Sequence, residues 1–141
     1  MLDSLYCRKF YDDVIINLKQ LKNNYSIYIA SNSDTKPLLE NIGNEKYLFN
    51  GIYTSERLKA YKPSKMFFER LLKKIKYGKD EILFIGDSID DDIKGSNEVG
   101  IKNVLMNRKN INTMDCSANY VVKGLNELKI ILENKVRQHC T

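Results

Sequence analysis

A dense group of carboxylates follows a short apolar run in the second half of the sequence. The run at residues 82–85 ends in Gly86-Asp87-Ser88, and Asp90-Asp91-Asp92 comes next. Four carboxylates within six residues repel one another unless a cation or a cationic phosphate site offsets their charge. The pattern therefore predicts a magnesium site around Asp87.

The position of these acids favours a ligand site over a simple helix cap. A buried parallel strand that ends in a tight turn at Gly86 places Asp87 at the carboxyl edge of a sheet, where open α/β folds bind ligands. Acidic residues also open helices, because the helix N-terminus favours negative charge. Capping needs only one Asp, however, and does not explain why an apolar strand stops at Gly-Asp. We therefore favour the site.

The elements needed to position this site alternate along the chain. Apolar periodicity predicts helices near residues 10–22, 38–42, 64–75, 91–99 and 125–136, and strands near residues 26–30, 51–54, 82–85, 102–106 and 119–122. Gly43 and Gly100 are expected to close the second and fourth helices, and Gly78 to occupy the C′ position after the third. The alternation predicts an α/β sandwich with a mostly parallel sheet.

Composition narrows the classes of function. The net charge of +5 over 141 residues comes from scattered lysines that are typical of solvated helix faces, and no nucleic-acid motif accompanies them. We therefore expect no nucleic-acid partner. The apolar runs are far shorter than the roughly 20 residues of a membrane span, and the first residues do not resemble a signal peptide. A cytoplasmic protein without membrane contact is expected.

Cysteine and histidine usage argues against several kinds of site. Cys7, Cys116 and Cys140 are widely spaced and form no CxxC pair, which suits reduced thiols. His139 is the only histidine, which argues against His-based metal clusters and Ser-His-Asp catalysis. Any catalysis would depend on carboxylates and lysine.

Three segments, in this order, resemble motifs of the haloacid dehalogenase superfamily of magnesium-dependent phosphatases and dehalogenases. Ser31-Asn32, after the apolar run at residues 27–30, resembles the second motif. Lys62-Pro63, before a helix, resembles the third, and Gly86-Asp87-Ser88 with the acids behind it resembles the fourth. The resemblance covers nearly the whole chain and implies a three-layer sandwich with a mostly parallel, Rossmann-like sheet.

The resemblance implies a phosphate-binding role for three residues. Ser31 would supply a hydroxyl, Asn32 an adjacent polar contact and Lys62 a fixed positive charge for a transferred phosphoryl group. Taken singly, each has a simpler explanation, since Ser31 could cap the next helix and Lys62 could be a solvated lysine. Their common order and spacing favour the site.

The resemblance also implies roles for the acids. Asp87 would bind Mg²⁺ directly. Asp91 or Asp92 would orient Lys62 or a metal-bound water as the second catalytic acid, and the spacing leaves both open. We favour Asp92 because relatives often carry Asn at the place of Asp91.

The first motif of the superfamily, a strand leading into Asp-x-Asp with the nucleophile, is not found in this sequence. Asp3 has no preceding strand and no second acid two residues on, and Asp12-Asp13 stands at a helix start. The cap segment between the first and second motifs is not found either. We therefore expect one partial core domain over residues 1–141, with no cap and no central nucleophile strand. Mg²⁺ should bind weakly or not at all.

The expected gap in the sheet has structural consequences. In relatives the nucleophile strand lies between the strands of the second and fourth motifs, and buried backbone groups without partners cost on the order of 1–3 kcal/mol each. The strands at residues 27–30 and 82–85 could pair directly, residues 2–7 could fill the gap, or another chain could supply a strand. We favour a homo-oligomer or strand exchange over a stable monomer.

The sequence thus favours a haloacid dehalogenase-like hydrolase, a magnesium-dependent phosphomonoesterase by descent that acts on a small phosphorylated metabolite. Turnover by this chain alone is doubtful, because the nucleophile motif is not found. The alternative is a non-catalytic binding or interaction module that retains the fold. A signalling receiver domain fits less well, because its acid pair should follow an early strand. The sequence does not identify the substrate.

Overall fold

The computed structural model describes residues 12–114 and 116–139, in which helices and strands are interspersed along the chain. The helices are α1 (Asp12–Leu21), α2 (Thr35–Ile42), α3 (Ser55–Leu58), α4 (Lys65–Lys74), α5 (Lys94–Glu98) and α6 (Leu125–His139). The strands are β1 (Tyr28–Ser31), β2 (Gly51–Thr54), β3 (Leu83–Gly86), β4 (Lys102–Met106) and β5 (Tyr120–Val122). Short 3₁₀ helices cover Gly43–Leu48 and Lys79–Glu81, and a π-helical turn covers Ile89–Ile93.

Within residues 12–114 and 116–139 the strands form two groups, and every strand pair there is parallel. β1 pairs with β2, and β4 lies between β3 and β5. β1 and β3 do not pair with each other, so the direct pairing of the strands at residues 27–30 and 82–85 was a wrong alternative. Residues 2–7, the second candidate for the gap, lie outside the described residues.

Helices cover both faces of β3 because its residues alternate between two cores. Ile85 packs in a core that includes Leu18 of α1 and Leu128 of α6. Phe84 points to the other face, where its ring meets the edge of Phe68 from α4, with 5.2 Å between ring centroids. This arrangement confirms the predicted α/β sandwich with parallel strands. No helix in the described part of the chain is long and apolar enough to cross a membrane.

Two of the three predicted glycine stops are found. Gly43 follows α2 with φ of 55°, and Gly100 follows α5 with φ of 78°, the left-handed region that favours glycine. The prediction for Gly78 was wrong. α4 ends at Lys74 because Ile75 adopts an extended conformation and buries its side chain among the core residues of that face. Gly78 has φ of −73° and begins the next 3₁₀ turn.

The helix predicted at residues 91–99 begins earlier and in a different form. The π-turn Ile89–Ile93 precedes α5, and the amide of Ile93 donates to the carbonyl of Ser88 at 3.2 Å, five residues back. The hydroxyl of Ser88 accepts a hydrogen bond from the amide of Asp91 at 3.1 Å. Ser88 therefore caps the turn, which leaves the acids available for other contacts. Such π-turns are rare and often occur at functional sites.

Candidate functional site

A buried ion pair joins the third and fourth sequence motifs. The ammonium of Lys62 donates to Oδ1 of Asp92 at 2.7 Å, and the two side chains are 4% and 2% exposed. A buried charge is stable only when it is paired and hydrogen-bonded. The pairing therefore fixes the position of the lysine charge. It also distinguishes the two candidate acids, because Asp92 and not Asp91 makes this contact.

Asn32 fixes the backbone of Lys62. Its Oδ1 accepts from the amide of Lys62 at 2.8 Å, and its Nδ2 donates to the carbonyl of the same residue at 3.1 Å. These bonds place Asn32 against the main chain of Lys62, and its contact with a phosphate group stays a prediction. The sequence contained no signal for these bonds, because the partner is 30 residues away.

Gly86 makes room for Asp92. A Cβ atom at position 86 would overlap the carboxyl group of Asp92. The second carboxylate oxygen, Oδ2, accepts from the amide of Ser88 at 3.1 Å. Both oxygens of Asp92 are therefore hydrogen-bonded, one to Lys62 and one to the turn after β3. The glycine of the Gly86-Asp87-Ser88 motif is required by this close approach.

A buried polar network lies behind Asp92. The hydroxyl of Ser96 donates to the carbonyl of Asp92 at 2.7 Å. Nδ2 of Asn103 donates to the hydroxyl of Ser96 at 2.8 Å, while Oδ1 of Asn103 accepts from the amide of Asn119 at 3.0 Å. Ser96 and Asn103 are fully buried. Sequence reasoning missed this network because its members carry no charge and lie on separate elements.

Ser31 occupies the end of β1, directly before Asn32. Its side chain is fully buried, and its hydroxyl is hydrogen-bonded to that of Ser33 at 3.0 Å. In the parallel register Ser31 is opposite Thr54, the last residue of β2. The hydroxyl of Thr54 accepts from the amide of Arg57 and so caps α3. Ser31 is the last residue of β1, and the next residue, Asn32, makes the hydrogen bonds to Lys62.

Asp87 is the exposed acid of the site. Desolvation by the surrounding protein and, next, the negative charge of Asp92 raise the pKa of the Asp87 carboxyl above its usual value. The nearby charges of Lys62 and Lys109 lower its pKa and only partly offset that rise. The ionised form of Asp87 is thus disfavoured, and a bound cation would favour it. Lys109 was not identified from the sequence.

The donor set suits a hard cation only in part. Asp87 offers carboxylate oxygens, the type of ligand that Mg²⁺ prefers. The oxygens of Asp92 are already bonded to Lys62 and Ser88. Over residues 12–114 and 116–139, no group of three or more His, Cys, Asp or Glu side chains is arranged to hold a metal ion. The described residues therefore fit one carboxylate ligand, with the remaining positions left to other oxygens.

Two curated relatives are named as a nucleotidase and a phosphatase. The chain is 27% identical over 125 residues to pyrimidine 5'-nucleotidase PynA of Streptococcus pneumoniae. The matched region covers 86% of this chain and 53% of that protein. It is 32% identical over 88 residues to glyceraldehyde 3-phosphate phosphatase of Methanocaldococcus jannaschii, covering 61% of this chain and 39% of that protein. The chain spans about half, or less, of the length of these relatives.

A solved structure shows the same fold. The putative HAD-hydrolase YfnB of Bacillus subtilis, a structure bound to magnesium, matches with a TM-score of 0.81 and 26% identity over 86% of this chain and 55% of that chain. The family model for haloacid dehalogenase-like hydrolases matches residues 5–106. With well over half of its residues matched, and the lysine, aspartate and glycine of the motifs in contact, this chain belongs to the haloacid dehalogenase-like hydrolase family.

Proposed function

We propose that this chain forms the phosphate-binding part of a magnesium-dependent phosphomonoesterase that acts on a small phosphorylated metabolite. The observation that carries the proposal is the buried pair of Lys62 and Asp92, which holds a positive charge in a fixed position. Fixed charges that need no rearrangement are the largest single contribution to stabilising phosphoryl-transfer transition states. The names of the relatives support this substrate class.

Each residue would have a defined task. Lys62, fixed by Asp92 at its ammonium and by Asn32 at its backbone, would attract the phosphoryl oxygens. The hydroxyl of Ser31 would donate to one of them. Asp87 would hold Mg²⁺, which would supply positive charge to the same oxygens. Asp92 would act through Lys62 and not on the substrate.

Turnover by the 141-residue chain alone is not expected, because no Asp-x-Asp motif directly continues a predicted strand in the sequence. The aspartyl-phosphate route would require a segment that carries this motif. The second candidate function is a non-catalytic binding module that retains the fold. The separation of β1 from β3 is compatible with a segment between them in either case.

Binding of inorganic phosphate, measured by calorimetry with Mg²⁺ present, tests the proposal on the full chain. We expect saturable binding that weakens at least about tenfold in Lys62→Ala, as for loss of a charge-assisted contact. The matched control is Lys65→Ala, because Lys65 is exposed and pairs only loosely with Glu69 at 3.8 Å. Thermal unfolding of each variant verifies that it is folded, and Ser31→Ala provides a second, uncharged test.

Two results would contradict the proposal. The first is absence of phosphate binding by the folded wild-type chain, which would favour the non-catalytic module. The second is equal loss of binding in Lys62→Ala and Lys65→Ala, which would indicate non-specific attraction by surface lysines. Hydrolysis of an aryl phosphate, with and without Mg²⁺, is measured in parallel. Turnover that depends on Lys62 would show that the chain is more complete than its sequence indicates.

A further inference from the structure

The segment after β4 is a clamped loop, which we call the β4 loop (residues 107–111). Oδ1 of Asn107 accepts from the amide of Ile111 at 3.0 Å, and its Nδ2 donates to the carbonyl of Ile111 at 3.1 Å. The amide of Asn107 donates to the carbonyl of Val122 at 2.7 Å, which anchors the loop to β5. Asn110 has φ of 53°, a left-handed turn residue. The loop therefore has a defined shape.

The strand register places the β4 loop at the edge of the sheet that carries the candidate site. β3 and β4 are parallel, and Gly86 is opposite Leu105. Asp87 follows β3, and the β4 loop follows β4. Since neighbouring strands are only about 4.8 Å apart, these two segments leave the sheet side by side. Lys109 lies in the exposed part of this loop.

The charges of the site explain why a further cation would strengthen anion binding there. In the buried pair, the negative charge of Asp92 offsets the positive charge of Lys62. Ionised Asp87 adds a negative charge beside it. With Asp87 ionised, these three residues together carry a net negative charge, so further positive charge would strengthen the attraction of Lys62 for an anionic ligand. A metal ion on Asp87 is one source, and the lysine on the β4 loop is a second that belongs to the chain itself.

We propose that Lys109 is a second cation of the phosphate site, contacting the anionic group of the ligand from the β4 loop on the side of the site away from β1. This inference rests on the proposed function and adds a residue to it. The clamp by Asn107 gives the lysine backbone a fixed position, while its exposed side chain can follow the ligand. Lys109 thereby adds a second positive charge to that of Lys62.

The test compares two lysines at opposite ends of β4. Lys109 stands just beyond the carboxyl end of β4, and Lys102 is the exposed first residue at its amino end. In calorimetric titrations with inorganic phosphate, Lys109→Ala should weaken binding about fivefold to tenfold, and Lys109→Arg should retain most of it. Lys102→Ala removes the same charge far from the site and should leave the affinity unchanged. Added salt should narrow the difference between wild type and Lys109→Ala.

The outcomes separate this inference from the function on which it rests. If the wild-type chain binds phosphate through Lys62 while Lys109→Ala binds as tightly as wild type, the inference is wrong and the proposed function stands. Equal weakening in Lys109→Ala and Lys102→Ala would also overturn the inference, because it would show a general effect of net charge. If the folded wild-type chain binds no phosphate, both fail.

Discussion

Two acid–base pairs extend from the same π-turn and differ mainly in their surroundings. Asp92 meets Lys62 at 2.7 Å, with side chains 2% and 4% exposed. Asp90 meets Lys94 at 2.9 Å, with side chains 80% and 63% exposed. The distances are nearly equal, so distance alone does not indicate what each pair contributes. Burial determines how much each pair contributes to stability. Water screens the exposed charges of Asp90 and Lys94, the outer pair, but not the buried charges of Asp92 and Lys62, the inner pair.

The supports of the two pairs differ as well. The outer pair joins residues four apart on one short segment. The inner pair joins residues 30 apart, and its acid also accepts from the amide of Ser88. A residue that lies two positions from another in sequence can therefore have a wholly different role. The comparison teaches that the acids of the cluster are not equivalent ligands: Asp92 is structural, Asp87 is an exposed candidate ligand and Asp90 belongs to a surface ion pair.

The largest expected effect is the loss of stability when the acid of the buried pair is removed, compared with removal of the acid of the exposed pair. Asp92→Ala should lower the free energy of unfolding by about 3–5 kcal/mol, because it removes the buried carboxylate to which the ammonium of Lys62 donates. Asp90→Ala should lower it by about 0.5 kcal/mol or less, as for other exposed pairs. Urea denaturation followed by circular dichroism measures both. Losses of similar size would mean that the two pairs are not as different as their exposure indicates.

A smaller effect is expected from filling the space at Gly86. Gly86→Ala should cost about 1–3 kcal/mol, because the added methyl group overlaps the carboxyl of Asp92. Gly78→Ala is the control, since a Cβ there meets nothing within 4 Å and its φ of −73° suits alanine. The same denaturation experiment applies. If the two glycines tolerate alanine equally, the position of Asp92 does not depend on Gly86.

The smallest effect concerns Asp87 and appears only as a dependence on pH. Because its pKa is raised in the folded protein, ionising Asp87 destabilises the fold as the pH rises above its usual pKa of about 3.9. Asp87→Asn should therefore raise the melting temperature at neutral pH in metal-free buffer. The gain should fall as the pH is lowered through about 3.9 and vanish below about pH 3, where Asp87 is protonated in both the folded and the unfolded state.

Asp90→Asn is the control for this measurement, since it removes a carboxylate of the neighbouring turn that is largely exposed. It should not raise the melting temperature at neutral pH. A gain of equal size in both variants would show that the overall acidity of the cluster, and not the position of Asp87, sets the effect. A gain in Asp87→Asn that persists at low pH would show that ionisation is not its cause.

The sequence predicted the elements whose signals are local. β2 and β4 have the bounds expected from short apolar runs that end at polar residues, and Ser64 caps α4 through a bond from the amide of Phe67. The choice of Asp92 over Asp91 as the acid near Lys62 also agrees with the contact observed. Such features depend on residue type at fixed short spacing, which a single sequence contains.

What the sequence did not predict depends on partners far along the chain. The π-turn is stabilised by its packing and by the contacts of Asp92, and no residue type in the sequence predicts it. Three features need the folded arrangement: the two hydrogen bonds of Asn32 to the backbone of Lys62, the position of Asn103 behind Asp92, and the position of Lys109 at the sheet edge that carries Asp87. The early end of α4 also follows from tertiary packing, since Ile75 enters the core while Gly78 remains outside it.

Lys62 closes two long loops of the chain at once. Its backbone returns to Asn32, 30 residues earlier, and its ammonium reaches Asp92, 30 residues later. Closing a flexible loop of that length costs roughly 3 kcal/mol of chain entropy, beyond a constant. This lysine can therefore be held only after the segments on both sides have folded and docked. A ligand that binds Lys62 would favour the docked state, so ligand binding and the joining of the two strand groups would be thermodynamically linked.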